Sequence, residues 1–376
     1  MQKSIGICDT TLRDGEQMPG VVFSPREKVR LAEKIADFGC DTIELMPSVS
    51  DSEMRVTRRI CKMGLNAEIT ASTMMRKDHV QIALDCGVDS VTLFSPISDL
   101  HMRCSGGISR EANITRSAEM VDYCREQGLK VNFAGSDAAR ADRGYLMDFM
   151  RAIERKVKYF LPCDTLGSLT PFETYSFIRE IKEHCRCKIA LHGHNDFGMA
   201  TANTIAGLHA GADAFSGTFC GIGERAGNVP IEEVCAALKY IYDIDLGLRY
   251  RMTGDICRMV EKFSGMRMQA HKPLVGKNAF SHESGIHVDA ILKDTETYEV
   301  FDPSDIGMER KLVFGKHNGK AILRHMFKGK ITEGNVSGVM DRVKRISEAE
   351  KRSLSRSEVM KILRGVENGR TGIPDI

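Results

Sequence analysis

Eight short β-rich runs alternate with amphipathic helical segments over the first two-thirds of this 376-residue chain, and that alternation leaves few folds open. The runs are SIGICDTT (4–11), TIELM (42–46), AEITAST (67–73), SVTLFSP (90–96), LKVNFAG (129–135), KYFLPCD (158–164), KIALHGH (188–194) and DAFSGTF (213–219). Between them, segments such as PREKVRLAEKIADFG space apolar residues three and four apart, the period of a helix buried on one face. Gly39, Gly87, Gly128 and Gly211 each stand shortly before the next run, where helix C-terminal caps belong. A (β/α)8 TIM barrel accommodates eight such units. The competing open, doubly wound sheet calls for a glycine-rich phosphate loop after the first strand, and DTTLRDGEQ is not one.

Beyond about residue 270 the rhythm breaks. HKPLVGKNAFSHESGIHVDAILK and YEVFDPSDIGMERKLVFGKHNGK mix Gly, His and short apolar stretches, the composition of a small mixed lobe. From Ile331 the chain turns charged and helical, and Ser355 with Glu358 forms a capping-box pattern. The expected division is therefore a barrel over 1–270, a small lobe over 271–330 and a helical C-terminal subdomain over 331–376.

Composition narrows the function classes. With 42% hydrophobic and 28% charged residues the chain can bury a large core. Lys and Arg total 53 against 51 Asp and Glu, so nothing favours nucleic acid or an anionic membrane as a partner. No apolar run approaches the roughly 18 residues of a membrane span. The opening MQKSIGICDTT has no signal-peptide h-region, so a cytoplasmic protein is expected. Twelve cysteines without a CxxC pair suit a reducing compartment, and the CxC pair Cys185 and Cys187 is too little for a zinc knuckle.

In a TIM barrel the chemistry sits where strands end. Those ends carry Asp9 to Gln17 after the first run, Glu44 in the second, Asp164-Thr165 after the sixth, His192-Gly193-His194 in the seventh and GIGERAGN (221–228) after the eighth. Two residues apart on a strand, His192 and His194 share one face, here the inside of the mouth. Two imidazoles with oxygen donors such as Asp14 and Asn228 make a divalent metal site; hydrogen-bonded histidines in a polar mouth are the plainer alternative. Arg13 can hold an anionic substrate or stabilise developing negative charge, or it can pair with Glu44 or Asp9. The glycines around Glu224 and Arg225 allow close backbone approach to a ligand residue. His282, Glu283, His287 and His317 lie in the small lobe, where lone histidines are ordinarily polar surface.

The stretches DTTLRDGEQMPG, DTLGSLTP, LHGHNDFGMATANT, GIGERAGNVPIEEV, FSHESGIHVDAILK and LVFGKHNG together resemble the DRE-TIM metallolyase family, in its acyl-CoA-condensing branch of isopropylmalate, homocitrate, citramalate and Re-type citrate synthases. The length is most similar to the nitrogenase-associated homocitrate synthases, and the long leucine-sensing domain of isopropylmalate synthases has no counterpart. The resemblance implies a divalent metal ion (Mg, Mn or Zn) on Asp14, His192, His194 and Asn228. It puts Arg13 on the substrate carbonyl oxygen and Thr165 on the substrate carboxylate. It implies that His287, accompanied by Tyr298, activates acetyl-CoA, the co-substrate, from the partner subunit of a homodimer with shared active sites.

In VNFAGSDAARAD, Ser136 stands where the family has an acid/base glutamate, which leaves Glu44 or a water for that role. ELMPS (44–48) replaces the family's E-x-G-x-P-S, SPISDLHMRC keeps His101, and Asn132 replaces an arginine of lysine-pathway homocitrate synthases. Ser136 and His101 fall where the 2-oxo acid is expected to sit. The expected reaction is condensation of acetyl-CoA with a 2-oxo acid, homocitrate synthase-like with 2-oxoglutarate. Another 2-oxo acid, an aldol-cleaving lyase and a non-catalytic 2-oxo acid binder are the alternatives.

Overall fold

The computed structural model describes residues 5–367; residues 1–4 and 368–376, which open and close the expected division, lie outside the described residues. The chain divides after Met268 into two compact units. The first is a closed barrel of eight parallel strands: β1 (Gly6–Asp9), β2 (Thr42–Leu45), β3 (Glu68–Thr73), β4 (Ser90–Pro96), β5 (Lys130–Ser136), β6 (Tyr159–Asp164), β7 (Lys188–Gly193) and β8 (Ala214–Gly217). Each lies within two residues of the run expected for it. Strand β1 pairs with β2 on one side and with β8 on the other, Gly6 opposite Ala214 and Asp9 opposite Gly217, which closes the ring.

The helix Pro25–Phe38 shows why the sequence folds this way. Ser24 and Glu27 form a reciprocal capping box, Pro25 occupies the first turn, and Leu31, Ile35 and Phe38 are fully buried on one face. Burying three such side chains stabilises the unit by about 1.5–3 kcal/mol each. Gly39 ends the helix at φ +113°, a conformation that costs residues with a Cβ.

A repeated device follows the helix ends. Asp41, Asp89 and Asp213 each stand two residues after a cap glycine and just before β2, β4 and β8. Their carboxylates accept from the backbone N–H groups of Ile7, Ile69 and Ile189 on the preceding strands, at 2.7, 2.8 and 2.9 Å. Three G-x-D triplets thus staple β1 to β2, β3 to β4 and β7 to β8 at the rim opposite the candidate site. The first strand's outgoing loop is fastened as well. Lys28, fully buried, reaches Glu16 of that loop and Glu53 of the helix Asp51–Cys61.

The second unit is built on a short parallel pair, β9 (Ser281–His282) with β10 (Lys311–Leu312), and on helices. The expected boundary at residue 330 runs through a hydrophobic cluster of the described residues. Val288, Phe314, Leu323 and Phe327 pack in it together with Val336, Val339, Val343, Leu354 and Leu363. The small lobe has too few apolar residues for a core of its own, so the helices Val336–Glu350 and Arg356–Glu367 complete it. Ser355 and Glu358 make the expected capping contacts. Among the described residues no helix is long and apolar enough to cross a membrane, and the cysteines are free thiols.

Candidate active site at the barrel mouth

Parity along each strand decides which side chains enter the mouth. Thr92 and Phe94 on β4, Ala134 and Ser136 on β5, Leu161 and Cys163 on β6, and His192 and His194 at the end of β7 are all two residues apart. Together with Arg13, Asp14, Gln17, Met46, Ser72 and Thr165 they line a cavity of about 210 Å³.

Asp14, His192 and His194 converge there, with one potential ligand atom from each lying within 4.8 Å of the others. His192 Nε2 is 3.6 Å from Asp14 Oδ2, while its Nδ1 lies 3.2 Å from Ser216 Oγ, a contact that fixes the ring. Asn228 donates from Nδ2 to Asp14 Oδ1 at 2.8 Å. Two buried atoms have no hydrogen-bond partner, His194 Nδ1 and Asn228 Oδ1. Orphaned acceptors in a buried site are costly unless something fills them, and two imidazoles, a carboxylate and an amide oxygen are a donor set for a divalent cation. The residues present therefore fit such an ion.

The loops hold this arrangement tightly. His194 and Asn228 form an isolated antiparallel bridge between the loops after β7 and β8. A Cβ on Gly223 would lie 2.1 Å from Asn228 Nδ2 and 3.2 Å from Asp14 Oδ1, so only glycine lets that backbone pass. Close approach at a ligand is thus what the glycines of GIGERAGN provide.

Arg13 sits between two carboxylates. Its Nε and Nη2 contact Glu44 Oε2 at 2.9 and 2.8 Å, and Nη1 donates to Asp14 Oδ2 at 2.8 Å. Glu44 Oε2 also accepts from the Thr10 hydroxyl at 2.7 Å, so this carboxylate is already engaged. Asp9, the other partner considered for Arg13, instead accepts from Thr11. Burial alone would raise the Asp14 carboxyl, but Arg13, both histidines and Asn228 outweigh it and hold Asp14 well below the usual carboxylate range. Burial drives His192 down to about 3 and also lowers His194. At neutral pH the cluster is an anionic carboxylate facing two neutral imidazoles, the protonation state that metal ligation requires.

The other expected residues separate into three groups. Thr165 and Ser136 line the cavity. The Thr165 hydroxyl oxygen accepts from the Asp137 N–H at 2.8 Å, and its carbonyl accepts from Arg225. His101 is not on the cavity wall; its ring faces buried Asp137 at 3.6 Å, which also accepts from Ser98 and from both arms of Arg140. His287 and Tyr298 belong to the second unit, where their rings stack with centroids 3.9 Å apart. Met46, Ser72, Thr92, Phe94, Leu161 and Cys163 were not singled out from sequence, although strand parity relative to His192 marks those within strands.

The chain is similar to known proteins over nearly its whole length. Residues 4–260 match the HMGL-like family model, and residues 274–351 match the model described as homocitrate synthase post-HMGL domain-like. A 2-isopropylmalate synthase of Caldanaerobacter subterraneus is 41% identical over 366 residues, 95% of this chain and 94% of that one. The homocitrate synthase AksA of Methanothermobacter thermautotrophicus is also 41% identical, over 94% of this chain and 90% of its own. The crystal structure of an HMG-CoA lyase from Bacillus subtilis superposes with a TM-score of 0.62 at 19% identity, covering 70% of this chain and 94% of that one, a likeness of fold alone.

Two outcomes follow from the cluster. The double variant His192→Ala/His194→Ala should remain folded and lose bound divalent metal, read by mass spectrometry of the purified protein; full occupancy would overturn the ligand assignment. The second concerns acid. His192 titrates near 6.5 when unfolded and near 3 when folded. Below pH 6.5 the unfolded chain therefore binds more protons, and acidification removes stability. Asp9, raised to about 7 by burial, acts with the opposite sign, so a comparison with His192→Gln is needed. Between pH 6.5 and 4 the metal-free wild type should lose up to about 1.4 kcal/mol per pH unit relative to that variant in urea unfolding.

Proposed function

The chain belongs to the HMGL-like family, and we propose that it condenses acetyl-CoA with a 2-oxo acid at the mouth of its barrel. The observation that carries this reading is the convergence of Asp14, His192 and His194 with Arg13 and Thr165 on one cavity, with Asn228 bonded to Asp14. Relatives that differ in their 2-oxo acid are equally similar to the chain, so the resemblance supports the reaction class and leaves the acid to the cavity itself.

Asp14, His192, His194 and Asn228 would hold the divalent ion. When bound, it supplies Lewis acidity and a template for the carboxylate and carbonyl oxygens of the 2-oxo acid. Arg13 has five N–H donors, of which three make the short contacts to Glu44 and Asp14, so donors remain for the substrate carbonyl oxygen. Negative charge develops on that oxygen as the new C–C bond forms, and a fixed guanidinium stabilises it. Glu44 orients this guanidinium. The Thr165 oxygen is occupied as acceptor by the Asp137 N–H, which turns its hydroxyl proton toward the substrate carboxylate.

A base removes a proton from the acetyl-CoA methyl group, and the resulting enolate carbon attacks the ketone carbon. The ketone oxygen takes up a proton and becomes a hydroxyl. Water then adds to the thioester carbon, the C–S bond breaks, and CoA leaves as its thiol. His287 of the partner subunit is the base in this reading, with the partner's Tyr298 stacked on it. Ser136 cannot take the family glutamate's role as a proton acceptor at neutral pH, so a water or a partner residue fills it.

The reading is tested by thiol release from acetyl-CoA. Release should require a divalent ion and a 2-oxo acid together, and Arg13→Lys should slow turnover by about 10²–10³-fold. Thiol release that is indifferent to every 2-oxo acid would sink it. Sharing of sites is tested by mixing. Asp14→Ala and His287→Ala dimers should each be nearly inactive, and subunit exchange should restore up to about a quarter of wild-type activity, since half the dimers are mixed and each has one intact site. Verified exchange without recovery would place His287 elsewhere.

A further inference from the structure

The cavity walls divide by chemistry. The lining comprises Arg13, Asp14, Thr165, His192 and His194 on one hand, and on the other Met46, Phe94, Ala134 and Leu161 with the hydroxyls of Ser72, Thr92 and Ser136 and with Gln17 and Cys163. Burial pushes the Cys163 thiol up to about 12, so it too is neutral. Among the described residues that line the cavity, the charged side chains are Arg13 and Asp14, beside the neutral imidazoles of His192 and His194.

We infer that the 2-oxo acid taken by this site is a monocarboxylate with a short, uncharged side chain. The inference rests on the condensing reaction proposed above and departs from the 2-oxoglutarate expected from sequence. A 2-oxo acid whose carboxylate and carbonyl face Thr165, Arg13 and the metal ligands must send its side chain along the remaining wall. A second carboxylate there would give up its hydration with no cation to receive it, and such transfers are strongly disfavoured.

The nearby cations do not relieve this. Arg13 is compensated by two carboxylates, Glu44 and Asp14. Arg140, four residues beyond Ser136, is bound through Nε and Nη2 to buried Asp137, both at 2.8 Å, and does not line the cavity. Below the cavity, Asn132 is buried and neutral, so it brings no charge to meet a carboxylate. An alkyl side chain, in contrast, covers the faces of Met46, Phe94 and Leu161 and removes them from water. The same cavity of about 210 Å³ must also admit the acetyl group, so the side chain is short.

The test uses the metal-loaded wild-type protein. Pyruvate, 2-oxobutyrate and 2-oxoisovalerate are compared with oxaloacetate and 2-oxoglutarate by thiol release, and by calorimetric binding with Mn²⁺ and no acetyl-CoA. The best monocarboxylate should exceed both dicarboxylates in kcat/KM by at least about 100-fold, with binding in the same order. A dicarboxylate within about tenfold of it, or ahead of it, would overturn the inference. If no acid releases thiol, the proposed reaction fails, while the binding order still decides the charge question. Binding by none of the five overturns both.

Discussion

A guanidinium fixed between two buried carboxylates organises the mouth of this barrel. Arg13 joins Glu44 on β2 to Asp14 in the loop after β1, so the position of the first loop and the register of the second strand end are set by one side chain. Its charge also lowers the Asp14 carboxyl, against the burial that would raise it. Buried ion pairs of this kind add little net stability against apolar replacements, because desolvation offsets attraction. What they provide here is placement, and Lys28 does the same for the far side of that loop through Glu16 and Glu53.

Burial acts in opposite directions on the two kinds of ligand, and the result suits both. It strips the proton from His192 and His194, while the surrounding positive charge and the amide of Asn228 prevent it from adding one to Asp14. The donor atoms are therefore ready at neutral pH without a conformational step.

Much of this was legible in the chain. All eight strands followed from alternation, and the convergence of His192 and His194 on one side of the mouth followed from their spacing of two residues, because strand parity survives into the fold unchanged. His101 was harder to place. Nothing in SPISDLHMRC announces that Asp137, at φ +61° after β5, would turn its carboxylate toward that histidine. The boundary at residue 330 was equally hidden, because a change from glycine-rich to charged sequence does not reveal that Phe314 and Val343 share one core. Wall residues such as Thr92 and Leu161 carry no chemical signature, and only their distance along the strand from a known inward position identifies them.

The carboxylate staples at the opposite rim bear on how the barrel forms. Asp41, Asp89 and Asp213 clip strands whose partners are only 34, 20 and 24 residues away. Such loops close at small entropic cost, so neighbouring strand pairs can associate early. The ring itself closes where β8 meets β1, and the bond from Asn228 to Asp14 spans 214 residues. Asp14, in the loop after β1, therefore meets His192, His194 and Asn228 only when the last seam is made. An ion that engages all four residues stabilises the closed ring and not its open precursors, so its affinity and the free energy of closure are two measurements of one equilibrium.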